Sequence, residues 1–254
     1  MSKTKSVIIT VAVRLKSARL PRKALLDLGG KSLIERLTER VAQATIPEAI
    51  YWCTSTHQDD DLLEQLVDKT DAWIYRGDEL DVMSRFIEIG WSCNAKTVVR
   101  VTGDNPLTDP VMMDHMLTLH AANNAEYTFT DDLPHGTRCE IIEMDALEKA
   151  QGLVEDPDSS EYMTHMLRRP DVFNVLEVKS PYLEIHRPDL RLTVDFQEDA
   201  DLITAIYEAF DGSPPPLKDI ISWIDRNPHI AEMNKNVQQK EPDSHINTQL
   251  MGDA

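Results

Sequence analysis

Apolar positions along the chain follow two rhythms. Short, nearly continuous apolar runs rich in β-branched residues read as strands buried on both faces. They are Ser6–Val13 (SVIITVAV), Ala49–Ser55, Ala72–Tyr75 and Lys96–Val101. Between them, apolar residues spaced three and four apart predict amphipathic helices over Lys31–Gln43, Asp59–Lys69, Asp78–Cys93 and Asp109–Ala122. Leu33, Ile34, Leu37 and Val41 form the first such stripe. A βαβα alternation of this kind implies a parallel sheet with helices on both faces.

The rhythm breaks in the middle. Glu126–Asp132 and Arg138–Met144 read as strands joined by the turn-like LPHGT. Asp145–Gln151 and Ser159–Arg169 read as short helices, and Val172–Val178 and Leu190–Val194 (LRLTV) as further strands. Helices follow over Asp199–Phe210 and Leu217–Arg226, separated by Pro214-Pro215-Pro216, which no helix interior accepts. From about Asn234 the chain is polar and unpatterned, as a frayed tail would be. The expected organisation is one domain over 1–233, with an insertion at 126–178, and a flexible tail over 234–254.

With 254 residues the chain is long enough for a full core. Hydrophobic content of 41% and charged content of 28% place it among soluble globular proteins. No apolar run approaches the roughly 18 residues of a membrane span, and the N-terminal run is too short for a signal peptide. Cys53, Cys93 and Cys139 are scattered and odd in number, without metal spacing or a disulfide framework. A cytoplasmic protein with reduced thiols is expected. The 44 acidic residues against 26 basic ones give a net charge of -18, which argues against general nucleic-acid binding.

On so acidic a chain, a basic cluster needs a local reason. Arg14, Lys16, Arg19, Arg22 and Lys23 crowd the loop after the first strand. The mouth of a strand in an open α/β sheet is a usual ligand position, and cations there suit a polyanion such as a triphosphate. A solvated basic loop is the competing reading. The loop is neither a Walker A motif nor a glycine-rich dinucleotide fingerprint. Two acids add to the picture. Asp104 follows the strand in VVRVTGDNPLTDP, and Asp195 follows LRLTV. Two carboxylates at strand ends suit one Mg²⁺, which takes one or two carboxylates plus substrate phosphates. Each acid taken alone is more commonly a helix cap or an Asx-turn.

The ordered motifs RLKSARLPRKAL, GGKSLIERL, YRGDELDVMSRF, VVRVTGDNPLTDP, HGTRCEIIEMDALEKA, SSEYMTHML and LRLTVDFQEDADL carry a family resemblance. From about Val7 to Phe210 the chain resembles the cytidylyltransferases of nucleotide-sugar synthesis. It is most similar to their spore-coat polysaccharide (SpsF-like) branch, and more distantly to the synthetases that activate 3-deoxy-manno-octulosonate and sialic acids. The resemblance implies an α/β, Rossmann-like, three-layer nucleotidyltransferase fold (GT-A-like), with a mainly parallel sheet and a mid-chain β/α insertion. It implies CTP as donor, Mg²⁺ as cofactor and a role in cell-surface polysaccharide synthesis.

Residue by residue, Arg14, Ser17, Arg19 and Lys23 match the family's phosphate- and nucleotide-binding loop. Asp104 and Asp195 match its metal ligands. Arg100 matches a position near the nucleotide, and Asp78 and Asp81 fall in a segment facing it. The resemblance thus assigns catalysis to Arg14, Lys23, Asp104 and Asp195. The chain departs from the branch at Lys16 and Arg22, where glycines are usual. It departs again at Arg138, where an acid is common, and at Tyr162, where histidine is frequent. Arg138 and His135 are candidates to meet an anionic acceptor, with a plain surface charge as the alternative for each.

The expected activity is Mg²⁺-dependent transfer of CMP from CTP to an anionic acceptor, a sugar acid by resemblance, with release of pyrophosphate. No nucleic acid or membrane partner is expected. A homodimer through 126–178 is, because relatives commonly dimerise through mid-chain elements. Three alternatives stay open at this point. They are a phosphorylated acceptor giving a CDP-linked product, a GT-A-like glycosyltransferase, and a nucleotide-binding regulator without catalysis.

Overall fold

The computed structural model describes residues 7–17, 19–154, 160 and 162–237. Among these, seven strands form one sheet in the order β3-β2-β1-β4-β6-β5-β7. Strands β1 (Val7–Ala12), β2 (Ala49–Ser55), β3 (Trp73–Gly77) and β4 (Thr97–Thr102) are mutually parallel. Strand β6 (Glu140–Glu143) runs antiparallel to both β4 and β5 (Tyr127–Phe129), and β5 pairs in parallel with β7 (Val175–Glu177). The expected hairpin-like pair of the mid-chain segment is therefore present, and it extends the parallel half of the sheet.

Alternate residues of the central strands feed two cores. Val7, Ile9 and Val11 of β1 pack on one face with α1 (Leu33–Val41), α4 (Pro110–Ala122), α7 (Gln197–Ala209) and α8 (Leu217–Arg226). Ile8 of β1, Val98 of β4 and Ile142 of β6 pack on the other face with α3 (Val82–Ser92), α5 (Met144–Leu153) and α6 (Met163–Leu167). The apolar runs are continuous in sequence because both faces of the sheet are covered. Helix starts fall where caps allow. Ser32 and Glu35 form a capping box that opens α1 at Leu33, and the Asp81 carboxylate accepts from Ser84 N–H to open α3.

One expectation about the C-terminal third does not hold, and the boundary of another shifts. Leu190–Val194 is not a sheet strand. Leu192 and Val194 are buried as the pattern required, but their N–H groups donate to the His135 and Asp104 carbonyls at 2.6 and 2.9 Å. The segment thus crosses the ends of the strands instead of joining them. The polar segment from Asn234 begins packed: Asn234 is buried, and its amide donates to the Arg191 carbonyl and the Asp199 carboxylate at 3.0 and 2.8 Å. One hydrophilic residue answering two buried acceptors leaves no apolar signature. The rest of the expected tail, from 238, and part of the helix expected at Ser159–Arg169 lie outside the described residues.

Candidate active site

The strand order reverses between β1 and β4. From β1 the chain steps outward through β2 and β3, then returns to lay β4 on the other side. Loops leaving two adjacent strands in opposite directions open a crevice at their C-terminal ends. The basic loop leaves β1 there, and Asp104 leaves β4 there. The two strand ends touch closely because residue 103 is glycine. A Cβ on it would stand 2.8 Å from Val13 Cβ and 2.9 Å from the Ala12 carbonyl oxygen. Its N–H donates to that carbonyl at 2.8 Å.

Lys23 joins the pieces. It opens a short 3-10 turn, Lys23–Leu25, and its ammonium donates to Asp104 Oδ2 at 2.7 Å and Asp195 Oδ1 at 2.8 Å. Asp104 Oδ1 also accepts from the Thr102 hydroxyl at 2.7 Å. Asp195 further accepts from Arg19 at 2.9 Å and from Arg191 at 3.0 Å, and Arg19 lies over the Phe196 ring. Burial alone would lower the Lys23 pKa, yet the two carboxylates outweigh it and hold it above its ordinary value. Burial would likewise raise Asp104, but Lys23 keeps it below the usual carboxylate range.

Asp195 is not the cap of α7. That work falls to Asp199, whose Oδ2 accepts from the N–H groups of Asp195 and Phe196 at 3.0 and 3.1 Å. Asp199 also takes the Arg191 guanidinium at 2.9 and 3.0 Å. The Asp195 carboxylate therefore faces the crevice. Gly136 helps bring this segment in. At φ +95° it lies in the left-handed region, and a Cβ there would stand 2.3 Å from Thr193 N.

The rest of the basic loop is held from below by Asp60, an acid the sequence does not distinguish from its neighbours Asp59 and Asp61. Asp60 is buried. It accepts from Leu15 N–H at 2.7 Å and from the Thr54 and Ser55 hydroxyls at 2.9 and 2.5 Å. Burial by itself would raise its pKa; these hydrogen bonds, led by Leu15 N–H, depress it instead. The folded state thus binds this proton less readily than the unfolded state. The stabilisation is present above the ordinary carboxylate pKa of about 3.9 and is lost as pH falls through the lower folded value. Asp60→Asn is expected to cost roughly 1–3 kcal/mol at pH 7. Urea unfolding at pH 7 and then at increasingly acid pH checks it. The gap to the parent should shrink with acid, and a gap independent of pH would contradict the assignment.

The other expected site residues are placed as follows. Arg14 is exposed on the loop and Ser17 half-buried beside it. Arg22 is exposed, with a left-handed φ of 57°, and Lys16 pairs with Glu79 at 3.0 Å. Asp78 accepts from the Leu80 and Asp81 N–H groups at 2.8 and 2.9 Å. Chiefly the Asp81 N–H holds its carboxyl below the ordinary range. Asp81 caps α3 and also takes the Gln151 amide.

Beside the two aspartates lies a cleft of about 420 Å³, with Arg100, Asn105, His135, Arg138, Tyr162 and Arg168 among its walls. Arg138 donates to the Leu133 carbonyl at 2.9 and 2.6 Å and to Asp131 at 3.1 Å. Arg168 grips the same Asp131 at 2.9 and 3.1 Å and stacks on Phe129 at 3.8 Å. Two guanidiniums on one half-exposed carboxylate leave this wall net positive. Arg100 points here, pairing with buried Glu140, which also accepts from Tyr127 and Thr164. Burial would raise Glu140, but chiefly Arg100 keeps it ionised. His135 is pushed below its ordinary pKa, first by burial and then by Arg191 and Arg138, so its ring is neutral near pH 7. Arg168, Glu140, Arg191 and Asp199 were not singled out by sequence: Arg168 and Glu140 gain their meaning from partners 37 and 40 positions away, and Arg191 meets Asp199, 8 positions on, only through the turn that leads into α7. A second cleft of about 480 Å³, between Arg191 and α8, carries the ion pairs of Arg187 with Asp189 and Asp225. Of the crevice groups it includes Arg191 alone.

A switch-point crevice with a basic loop on one side and convergent aspartates below is the arrangement of a Rossmann-like nucleotidyltransferase. The family model for cytidylyltransferases matches residues 7–211, and the chain belongs to that family. It is 29% identical over 233 residues to the spore coat polysaccharide biosynthesis protein SpsF of Bacillus subtilis, covering 89% of this chain and 96% of the relative. It shares its fold with a cytidylyltransferase from Leptospira borgpetersenii at a TM-score of 0.81 and 23% identity, over 94% and 99% of the two chains. A CMP:2-keto-3-deoxy-manno-octonic acid synthetase complexed with CTP superposes at a TM-score of 0.63 and 18% identity, over 81% and 99%. The SpsF-like branch and its relation to the octulosonate synthetases stand as the motifs implied.

Proposed function

We propose that the enzyme transfers CMP from CTP to a small anionic acceptor, a sugar acid, and releases pyrophosphate. The observation that carries this reading is the meeting of Asp104 and Asp195 on one cation beside the basic loop. The cytidylyltransferase family and the CTP complex of the octonic acid synthetase support CTP as donor. Arg14, Ser17, Arg19 and Lys23 bind the triphosphate, with Arg14 and Lys23 offsetting charge that builds on its oxygens. An acceptor oxygen in the Arg138 cleft attacks the α-phosphorus in line; its new P–O bond to CMP forms as the α–β P–O bond breaks, the electron pair leaves on pyrophosphate, and the acceptor's hydroxyl proton passes to solvent. Catalysis is then mostly positioning and charge stabilisation.

The residues present fit Mg²⁺. Two carboxylates already converge on a cation, and among the described residues no group of three or more His, Cys, Asp or Glu gathers as a metal site. Two carboxylates, with phosphate and water completing the shell, are what this hard ion takes. Asp104 and Asp195 would hold it. When bound, the ion supplies charge neutralisation at the α-phosphate. Among the described residues no helix is long and apolar enough to cross a membrane, and we assign the enzyme to the cytoplasm, where CTP is made. Pyrophosphate release from CTP that depends on both Mg²⁺ and an added sugar acid tests the reading.

Acceptor choice rests on the positive wall of the cleft. Arg138→Ala is expected to raise the acceptor KM about 10-fold or more, the scale of one charge-assisted contact, while the KM for CTP stays put. Unchanged acceptor kinetics would leave Arg138 as a brace for the Leu133 carbonyl. The segment 126–178, as part of a single domain over 1–233, supplies this wall, and we assign it the interface of a homodimer as well. Light scattering at micromolar concentration checks that, and a monomer would contradict it.

A further inference from the structure

Lys23 occupies the position between Asp104 and Asp195 that the reading above gives to the divalent cation, at 2.7 and 2.8 Å from the two carboxylates. Its side chain is only 14% exposed, so the pairing is well shielded from water. Asp195 is neutralised further by Arg19 at 2.9 Å and Arg191 at 3.0 Å. In this state the three carboxylates Asp104, Asp195 and Asp199 are matched by the three cations Lys23, Arg19 and Arg191. A divalent ion arriving alone meets an ammonium already seated between its ligands and no net negative charge to draw it. Like charges a few Å apart in a shielded site repel strongly.

We propose that Lys23 is a resident stand-in for the metal, and that metal and nucleotide triphosphate therefore enter together. The inference rests on the assignment of Asp104 and Asp195 as metal ligands. A triphosphate gives Lys23 and Arg19 another set of anionic oxygens, and their transfer onto it uncovers the carboxylates. Metal and triphosphate each favour the state the other needs, which is positive coupling between the two ligands. Lys23 is in this respect a positioning residue for the carboxylates as well as a phosphate ligand. It holds two like charges in register before the metal is present.

The test is Mn²⁺ binding to the full chain without nucleotide, by calorimetry or by the loss of the free-ion electron paramagnetic resonance signal. Lys23→Met is expected to bind Mn²⁺ about 10-fold tighter or more than the parent, although its turnover falls. Lys23→Gln, which keeps hydrogen-bond donors but no charge, should move the same way, and it serves if Lys23→Met folds poorly. Metal alone should also raise the melting temperature of Lys23→Gln more than that of the parent. Mn²⁺ affinity that is unchanged or weaker in the folded Lys23 variants, while Asp104→Asn abolishes it, overturns the stand-in proposal and spares the metal-site assignment. Mn²⁺ binding that neither Asp104→Asn nor Asp195→Asn weakens overturns both.

Discussion

Asp104→Ala and Asp195→Ala each lower kcat/KM by roughly 10²- to 10³-fold, the cost of losing a preorganised electrostatic contact at a reacting phosphate. Both chains stay folded, as far-UV circular dichroism would show. Asp104 stands directly after the Gly103 contact between β4 and β1, and its carboxylate bonds only forward into the crevice and to Thr102 among the described residues. Asp195 is the sharper case, because an acid just before α7 is where a helix cap is expected. Asp199 does that job, holding the Asp195 and Phe196 N–H groups. Loss of turnover without a comparable loss of melting temperature in Asp195→Ala is the expected pattern. An active but less stable Asp195→Ala would return this residue to a capping role. Asp199→Ala should show the reverse emphasis, since it unties α7, Arg191 and Asn234 together.

Within the basic loop, Lys23→Ala costs about 100-fold or more in CTP turnover, and Arg22→Ala changes it less than about 3-fold. The two residues are neighbours in sequence with the same formal charge, so a diffuse basic surface would make them equivalent. The structure separates them. Lys23 is largely buried on two carboxylates, whereas Arg22 points to solvent from a left-handed turn whose N–H donates to the Leu15 carbonyl. Steady-state kinetics on the two variants decide it. Equal and mild losses would mean that the loop acts only through its summed charge.

The parts of this arrangement legible in the sequence are those with a local signature. Doubly buried strands write continuous apolar runs, so β1, β2 and β4 are read almost to the residue. Residues that follow such runs lie at the sheet's ligand-bearing edge, which is why the basic loop and Asp104 stood out. LRLTV carries the same alternation, because burial of Leu192 and Val194 does not depend on whether their N–H groups meet a strand or a loop carbonyl. Asp60 sits in a run of three acids, and only the fold brings Leu15 N–H to it. Arg168 and Asp131 stand 37 positions apart and Lys23 and Asp195 172 apart. No local pattern encodes such pairs. The motif order supplied Lys23 and Asp195 as site residues, but their contact with each other came from the fold.

The proposed reaction is tested most directly by a matrix of the four nucleoside triphosphates against sugar acids and sugar phosphates, with Mg²⁺, read by pyrophosphate release. Release is expected with CTP and a sugar acid, little with the other triphosphates, and none without acceptor. Release confined to sugar phosphates, or to a triphosphate other than CTP, would contradict the proposed reaction, and CTP binding without release in any pairing would contradict catalysis itself.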